Sequence, residues 1–322
     1  MKINTVTGTV DTSELGVTLM HEHIYVLSSS FCQAFPDWCD KEEVATRFAA
    51  NIARLKKYGM NTFVEVTPIN HGRDIHAIRH AAELAGINVL ATTGLYFNES
   101  PWMQMTVDPD YLAKLYIREI TEGIEDTDIK AAAVKCATDM PYGLSESNKA
   151  MITATGLAAL ETGVPVIAHA NPHEKFGIVQ TDMLTKMGVD AHRIMICHAF
   201  SSNDMGYVEE LLNKGVYVGC DQLNFTILNS YENLAKMVGE LCKKGFEDQI
   251  FLSHDAASVS DFGFCLTPGA RDAEQNILIG DYSKVFEVIP EFLKAEGVTQ
   301  AQIDKMLTEN PRRYFEQLPL RA

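Results

Sequence analysis

Val17-Thr-Leu-Met-His-Glu-His23 is the stretch on which the fold turns. Four strand-forming residues, with no wet face among them, run directly into two histidines two positions apart. Parallel strands read this way because helices cover both of their faces. In extended backbone, positions i and i+2 point to one side, so His21 and His23 can face one metal at the strand's carboxyl end.

The same kind of run recurs along the chain, at Thr62–Val66, Asn88–Thr92, Ala131–Lys135, Val164–Ala168, Ile194–Cys197, Val216–Cys220 and Ile250–Ser253. Helix-period stretches lie between these runs. Asp40 is placed to cap the first long one, with Glu43 as its capping-box partner. Val44, Phe48, Ile52 and Leu55 then repeat at helical spacing, and Gly59 stops it. The next opens near Arg73, sets Ile75, Ile78 and Ala82 on one face, and ends at Gly86. Further helical segments are expected over 110–125, 146–162, 202–214, 232–244 and 283–296.

Eight strands alternating with helices predict an α/β fold, a (β/α)8 TIM barrel, rather than a doubly wound sheet. No Gly-rich dinucleotide fingerprint follows the first strand. With no linker, repeat or low-complexity tract, residues 1–322 read as a single domain. Ala256–Asp281 reads as a long loop after strand eight, at the barrel end where loops build substrate pockets.

Composition narrows the possible functions. The 322 residues are 46% hydrophobic and 22% charged, enough apolar content for a large core and too much for a disordered chain. Lys+Arg number 27 against 43 Asp+Glu, a formal charge of −16 that repels phosphate backbones and anionic bilayers. Nucleic acid and membrane are therefore poor partners, and a small-molecule substrate is expected. No apolar run reaches the roughly 18 residues of a membrane span. The amino-terminal stretch shows no apolar signal core. The 7 cysteines are odd in number, irregularly spaced and without a CxxC pair, as in a reduced, cytoplasmic protein.

The polar residues at the strand ends carry the chemistry. They are His21 and His23 after strand one, Lys135 in strand four, His169 after strand five, His198 after strand six and Asp255 after strand eight. One strand-end histidine is ordinarily a hydrogen-bonded core residue. Ligand-type residues at the same register on five of eight strands are a different matter, and they predict a shared metal site. Lys135 would be doubly unfavourable there as an ammonium, through burial and through repulsion by metals. As a neutral amine it can add CO2 and become an anionic, two-oxygen bridge.

This set resembles the amidohydrolase superfamily, and within it the phosphotriesterase family with its lactonase relatives. The resemblance runs over nearly the whole chain: Gly16 to His23, Val66-Thr-Pro68, Gly72-Arg-Asp74, Thr93-Gly-Leu-Tyr96, Val134-Lys-Cys-Ala137, Thr162 to His169, Leu252-Ser-His-Asp255 and Glu309-Asn-Pro-Arg-Arg313. It implies a binuclear centre. His21, His23 and Asp255 would take the buried metal and His169 and His198 the exposed one, bridged by N6-carboxylated Lys135 and a hydroxide. Two divalent ions are implied, zinc first, with Co2+, Mn2+ or Fe2+ also compatible. Asp255 would accept the proton of the attacking hydroxide and pass it toward the leaving group. A homodimer is also implied.

Departures from the family pattern bear on substrate. Asn98 stands where lactonase relatives carry an aromatic hydroxyl, Gln222 where they carry arginine after Asp221, and Glu65 where aspartate is usual. The first two weaken a reading as an acyl-homoserine lactonase. The expected pocket is Tyr96, Phe97, Asn98, Trp102, Gln222 and Phe262, with Phe35 and Trp38 as additions or oligomer contacts. His254 is expected to point away from Asp255, and His71, His76 and His80 to be solvated. Arg73 and Asp74 read as a structural pair. Arg271 is the only Lys or Arg between Ser253 and Lys284, so a neutral substrate is favoured. The expected activity is hydrolysis of a small neutral carboxyl ester or lactone, with phosphotriester cleavage as a secondary activity. The alternatives are an amidase or N-acyl deacylase on the same site, and a non-catalytic binding homologue.

Overall fold

Parallel strands form one curled sheet that organises the protein, a computed structural model describing residues 1–97, 107–261 and 281–320. An antiparallel hairpin, β1 (Lys2–Thr5) and β2 (Gly8–Asp11), precedes it. The sheet strands are β3 (Val17–Val26), β4 (Met60–Glu65), β5 (Asn88–Gly94), β6 (Ala133–Thr138), β7 (Val166–Ala170), β8 (Ile194–Cys197), β9 (Tyr217–Cys220), β10 (Ile250–Leu252) and β11 (Ala257–Ser260). Neighbours in sequence are neighbours in the sheet from β3 to β10, and β11 returns to pair with β3.

This topology is the eight-stranded barrel with its last strand broken in two. β10 pairs with β9, β11 pairs with β3, and the residues between them bond to both edges. Ser253 N donates to Cys220 O at 3.0 Å, Asp255 N to His21 O at 3.1 Å, and His23 N to Ala256 O at 2.8 Å. The break corrects the expectation of loop from Ala256 onward, since 257–260 form a strand. The rest of the expected loop, residues 262–280, lies outside the described residues.

Helices cover the outer face of the sheet. Lys41–Leu55 buries Val44, Ala45, Phe48, Ile52 and Leu55 against it, and Phe48 meets Phe63 of β4 edge-on at 5.1 Å. Asp40 accepts from Glu43 N at 3.0 Å, a cap worth about 1 kcal/mol. The reciprocal half of the expected capping box is replaced, because the Glu43 carboxylate turns to Arg47. The helix Ile75–Ala85 starts at the Asp74 cap and stops at Gly86, in the left-handed region at φ 61°. A helix that the periodicity misses, Phe176–Met187, joins β7 to β8. Among the described residues no helix is long and apolar enough to cross a membrane.

The barrel interior is filled from below. Met20, Val64, Leu90, Ala133, Ile167, Met195, Tyr217 and Phe251 cluster with Ile3, Leu15, Tyr314 and Phe315. Tyr217 stacks on Phe251 at 4.8 Å, and Tyr314 packs edge-on against both. This apolar plug leaves the polar side chains only the carboxyl end of the strands.

Candidate metal centre

The six sequence-derived candidates collect at that end. His21 and His23 lie within β3 rather than after it, because the strand continues to Val26, and they share a side as the i, i+2 spacing requires. Their Nε2 atoms each lie 3.3 Å from Asp255 Oδ1. Asp255 sits in the break between β10 and β11 at φ 55°, a left-handed conformation that Asp tolerates better than most residues. His169 closes β7, and His198 follows β8 with φ 64°. Their rings meet with His169 Nδ1 2.8 Å from His198 Nε2. Lys135 lies in β6, 2% exposed, with no ion pair among the described residues. Gly94 of β5 is its register partner, and a Cβ there would come within 2.0 Å of Lys135 O.

The outer nitrogens of these imidazoles are held by oxygen, which fixes what the inner nitrogens can do. Thr67 donates its only hydroxyl proton to Tyr25 O at 2.9 Å, so its Oγ1 must accept from His23 Nδ1, 2.7 Å away. His23 Nε2 is then a bare lone pair facing a carboxylate oxygen. His169 Nε2 donates to Asp139 Oδ2 at 2.8 Å, and His198 Nδ1 to Asp221 Oδ1 at 3.1 Å. That leaves two nitrogen lone pairs opposed at 2.8 Å. His21 Nδ1 lies 3.1 Å from Asp221 Oδ2. Acceptors pressed together in this way repel unless a cation or proton stands among them, and an imidazole braced on its far nitrogen is the usual form of a metal-ligating histidine. The residues fit a divalent metal. His21, His23 and Asp255 bring three ligand atoms within 4.8 Å of one another, as do His21, Cys197 and Asp221 beside them.

Electrostatics point the same way. Burial works against a charged His21, yet its surroundings, with the Cys197 thiol and the carboxylates of Asp255 and Asp221, raise its pKa well above the ordinary value. Burial would raise Asp255, but His21 and His198 hold it well below the usual carboxylate range. Burial lowers Lys135. His169 falls to about 4 through burial and the neighbouring His198. The pocket is therefore built around carboxylates that call for positive charge.

Three of the expected pocket residues line this centre. Tyr96 Oη is 3.4 Å from His169 Nε2, Phe97 lies over the same ring at 6.2 Å, and Gln222 Nε2 donates to Asp255 Oδ2 at 3.1 Å. Asn98, Trp102 and Phe262 lie outside the described residues. Trp38 stacks on Phe31 and donates to Asp261. Phe35 is 50% exposed. His76 and His80 are at the surface, whereas His71 packs on Tyr96 at 4.1 Å rather than being solvated. Arg73 and Asp74 are structural but not paired with each other: Arg73 forks onto Glu119, and Asp74 caps a helix and pairs with Lys41.

Two carboxylates to which the sequence assigns no role also hold the centre, Asp139 and Asp221. Asp221 was legible, since it directly follows β9 as His198 directly follows β8. Asp139 lies in the turn after β6 and reaches His169 only through the fold; it is held ionised, its pKa about 2, against the opposing effect of burial, by His169 and Asn171.

Known proteins resemble this chain over nearly all of its length. The sequence model of the "Phosphotriesterase family" matches residues 1–315. A solved structure described as the phosphotriesterase from Mycobacterium tuberculosis superposes with a TM-score of 0.89 at 33% identity, covering 98% of each chain. An aryldialkylphosphatase from Saccharolobus solfataricus is 31% identical over 309 residues, 95% of this chain and 96% of that protein. An N-acetyltaurine hydrolase from Danio rerio is 25% identical over 359 residues, 98% of this chain and 97% of its own.

Proposed function

The chain belongs to the phosphotriesterase family, and from that membership we propose that it is a metal-dependent hydrolase of a small neutral carboxyl ester or lactone. The observation that carries the reading is the set of inward lone pairs on His23, His169 and His198, each braced from behind by an oxygen.

In this reading His21, His23 and Asp255 hold one divalent ion and His169 and His198 hold a second. Lys135 joins them as its N6-carboxylated form. Its neutral amine would add to CO2, with an N–C bond formed and one N–H proton lost, so that an anionic carbamate stands where a neutral amine stood. Zinc is the proposed occupant, and Co2+, Mn2+ or Fe2+ suit the same donors. When bound, the ions supply Lewis acidity and a water acidified toward neutral pH.

The chain's own residues do the rest. Gln222 Nε2 holds Asp255 Oδ2, which orients an ionised carboxylate to take up a proton and return it to the leaving group. Tyr96 and Phe97 wall the mouth beside His169 and suit an apolar substrate body. Asp139, ionised next to His169, repels anionic substrates, which supports a neutral one. Cleavage of dialkyl aryl phosphotriesters as a secondary activity draws on the aryldialkylphosphatase relative. Amide hydrolysis is a second reading, favoured by the N-acetyltaurine hydrolase relative.

The test is metal analysis of protein purified without chelator, paired with turnover of lactones, aryl esters, N-acyl amides and dialkyl aryl phosphotriesters. About two ions per chain with preference for lactone or ester is the expected result. Preference for N-acyl amides would move the assignment to an amidase, and full metal content without turnover on any substrate would make the protein a binding homologue.

A further inference from the structure

Between the two β3 histidines lies Glu22, a fully buried carboxylate whose contacts all fall on one short segment. Its Oε1 accepts from Ser253 Oγ at 3.0 Å, His254 N at 2.8 Å and His254 Nδ1 at 2.7 Å. Its Oε2 accepts from Ala256 N at 3.0 Å. Those donors flank Asp255 on both sides. Asp255 N itself bonds to His21 O, and His21 N donates to Ser253 Oγ at 2.9 Å.

We propose that Glu22 is a positioning residue: its carboxylate folds the break in the eighth strand around itself and thereby sets Asp255, at positive φ, opposite His21 and His23. His254 is the second part of the device. Its Nε2 accepts from Val285 N at 3.0 Å, so its proton is on Nδ1 and is donated to Glu22. The imidazole thus ties the helix Lys284–Glu287 to the same carboxylate. The register of β3 shifts between Leu19 and Glu22, and Glu22 meets His254, which reaches a helix outside the sheet, so the residue between the two histidines stands on the outer face and shapes the neighbouring edge from there. The metal consequence of this hold rests on the functional reading above; the geometry of the hold does not.

Three variants test it: E22Q, H254N and H254Q. In E22Q the new amide nitrogen meets Ala256 N–H, so one bond is lost and two donors oppose. H254N keeps a donor where Nδ1 stands, whereas H254Q keeps only an acceptor where Nε2 stands. Metal affinities are read by chelator competition, metal-free stability by thermal unfolding, and the position of Asp255 from crystals of the metal-free E22Q and wild-type proteins. E22Q and H254Q are expected to weaken one of the two metals by roughly 10–100-fold, with H254N close to wild type. In the metal-free E22Q crystals Asp255 is expected to leave positive φ and its bond to His21 O. Lower metal-free stability with unchanged affinity for both ions in every variant would overturn the proposal, as would an unmoved Asp255. If the wild type takes up no metal, the hydrolase reading fails by itself, and the position of Asp255 in E22Q still decides the role of Glu22.

Discussion

His169 Nδ1 and His198 Nε2 face each other at 2.8 Å, each with its other nitrogen committed to a carboxylate. Neither ring has a proton to offer the other unless one is charged, and burial with the nearby His198 lowers His169 to about 4. The pair is therefore suited to receive a cation, as the proposed function requires. His169→Ala is expected to lose one metal equivalent while the ion on His21, His23 and Asp255 stays. Lys135→Ala is expected to weaken both ions and to cut turnover by more than the roughly 10–100-fold typical of a supporting partner. Elemental analysis after dialysis reads both outcomes, and two retained equivalents in His169→Ala would refute the assignment of that histidine.

Metal uptake should release protons. The carboxylates of Asp255 and Asp221 help raise the pKa of His21 in the metal-free protein, so a metal on His21 competes with a proton. Asp255 is lowered and has none to give. Affinity then falls on acidification, first through His21 and again near pH 4 through His169. Each displaced proton costs about tenfold in affinity per pH unit. Titration calorimetry in buffers of different ionisation enthalpy measures the release; a heat independent of buffer would contradict it.

Gly94→Ala is expected to be among the most damaging single changes. The added Cβ would meet Lys135 O at 2.0 Å, on a backbone at φ 123° that side chains rarely adopt. The strands must part or the residue must flip, and a loss of about 4 kcal/mol or more is expected. Chemical denaturation measures it, and a shift under about 1 kcal/mol would show that the strand contact is softer than drawn.

Arg73 separates stability from chemistry. Its guanidinium forks onto Glu119 at 2.7 and 2.6 Å, with side-chain exposures of 3% and 12%. Arg73→Ala strands a buried carboxylate and is expected to cost about 3–5 kcal/mol. Metal content should be unchanged. Replacing both partners by apolar residues of similar volume should recover most of the loss, and a double variant no better than the single would argue against desolvation as the cause.

Much of this was legible in the chain. The eight strand runs survive with shifts of a few residues, because doubly covered parallel strands are written as apolar blocks. The six ligand candidates meet because strand ends share one register in a barrel. The helix Phe176–Met187 was hidden by its inner face, where Gly177, Gln180 and Thr181 are buried beside Leu184 and give no apolar stripe. Gln180 is inside because it bonds to Thr138 Oγ1 and His169 O. β11 was hidden because Asp255 interrupts the strand, and no local pattern says that the chain resumes extended structure on the opposite edge. Asp139 gave no local sign, since its tie to His169 crosses from the residue after β6 to the neighbouring strand β7, where Thr138 pairs with Ala170.

The aromatic floor of the barrel has a kinetic corollary. Tyr217, Phe251 and Tyr314 stop the lumen below the histidines, so traffic is one-way in architecture and two-way in use. Among the described residues the floor is shut, so a substrate and both of its fragments are expected to pass by the carboxyl end of the strands. If the proposed hydrolysis is the reaction, the fragment nearer the floor is expected to leave last, and a bulky fragment at the mouth to delay it.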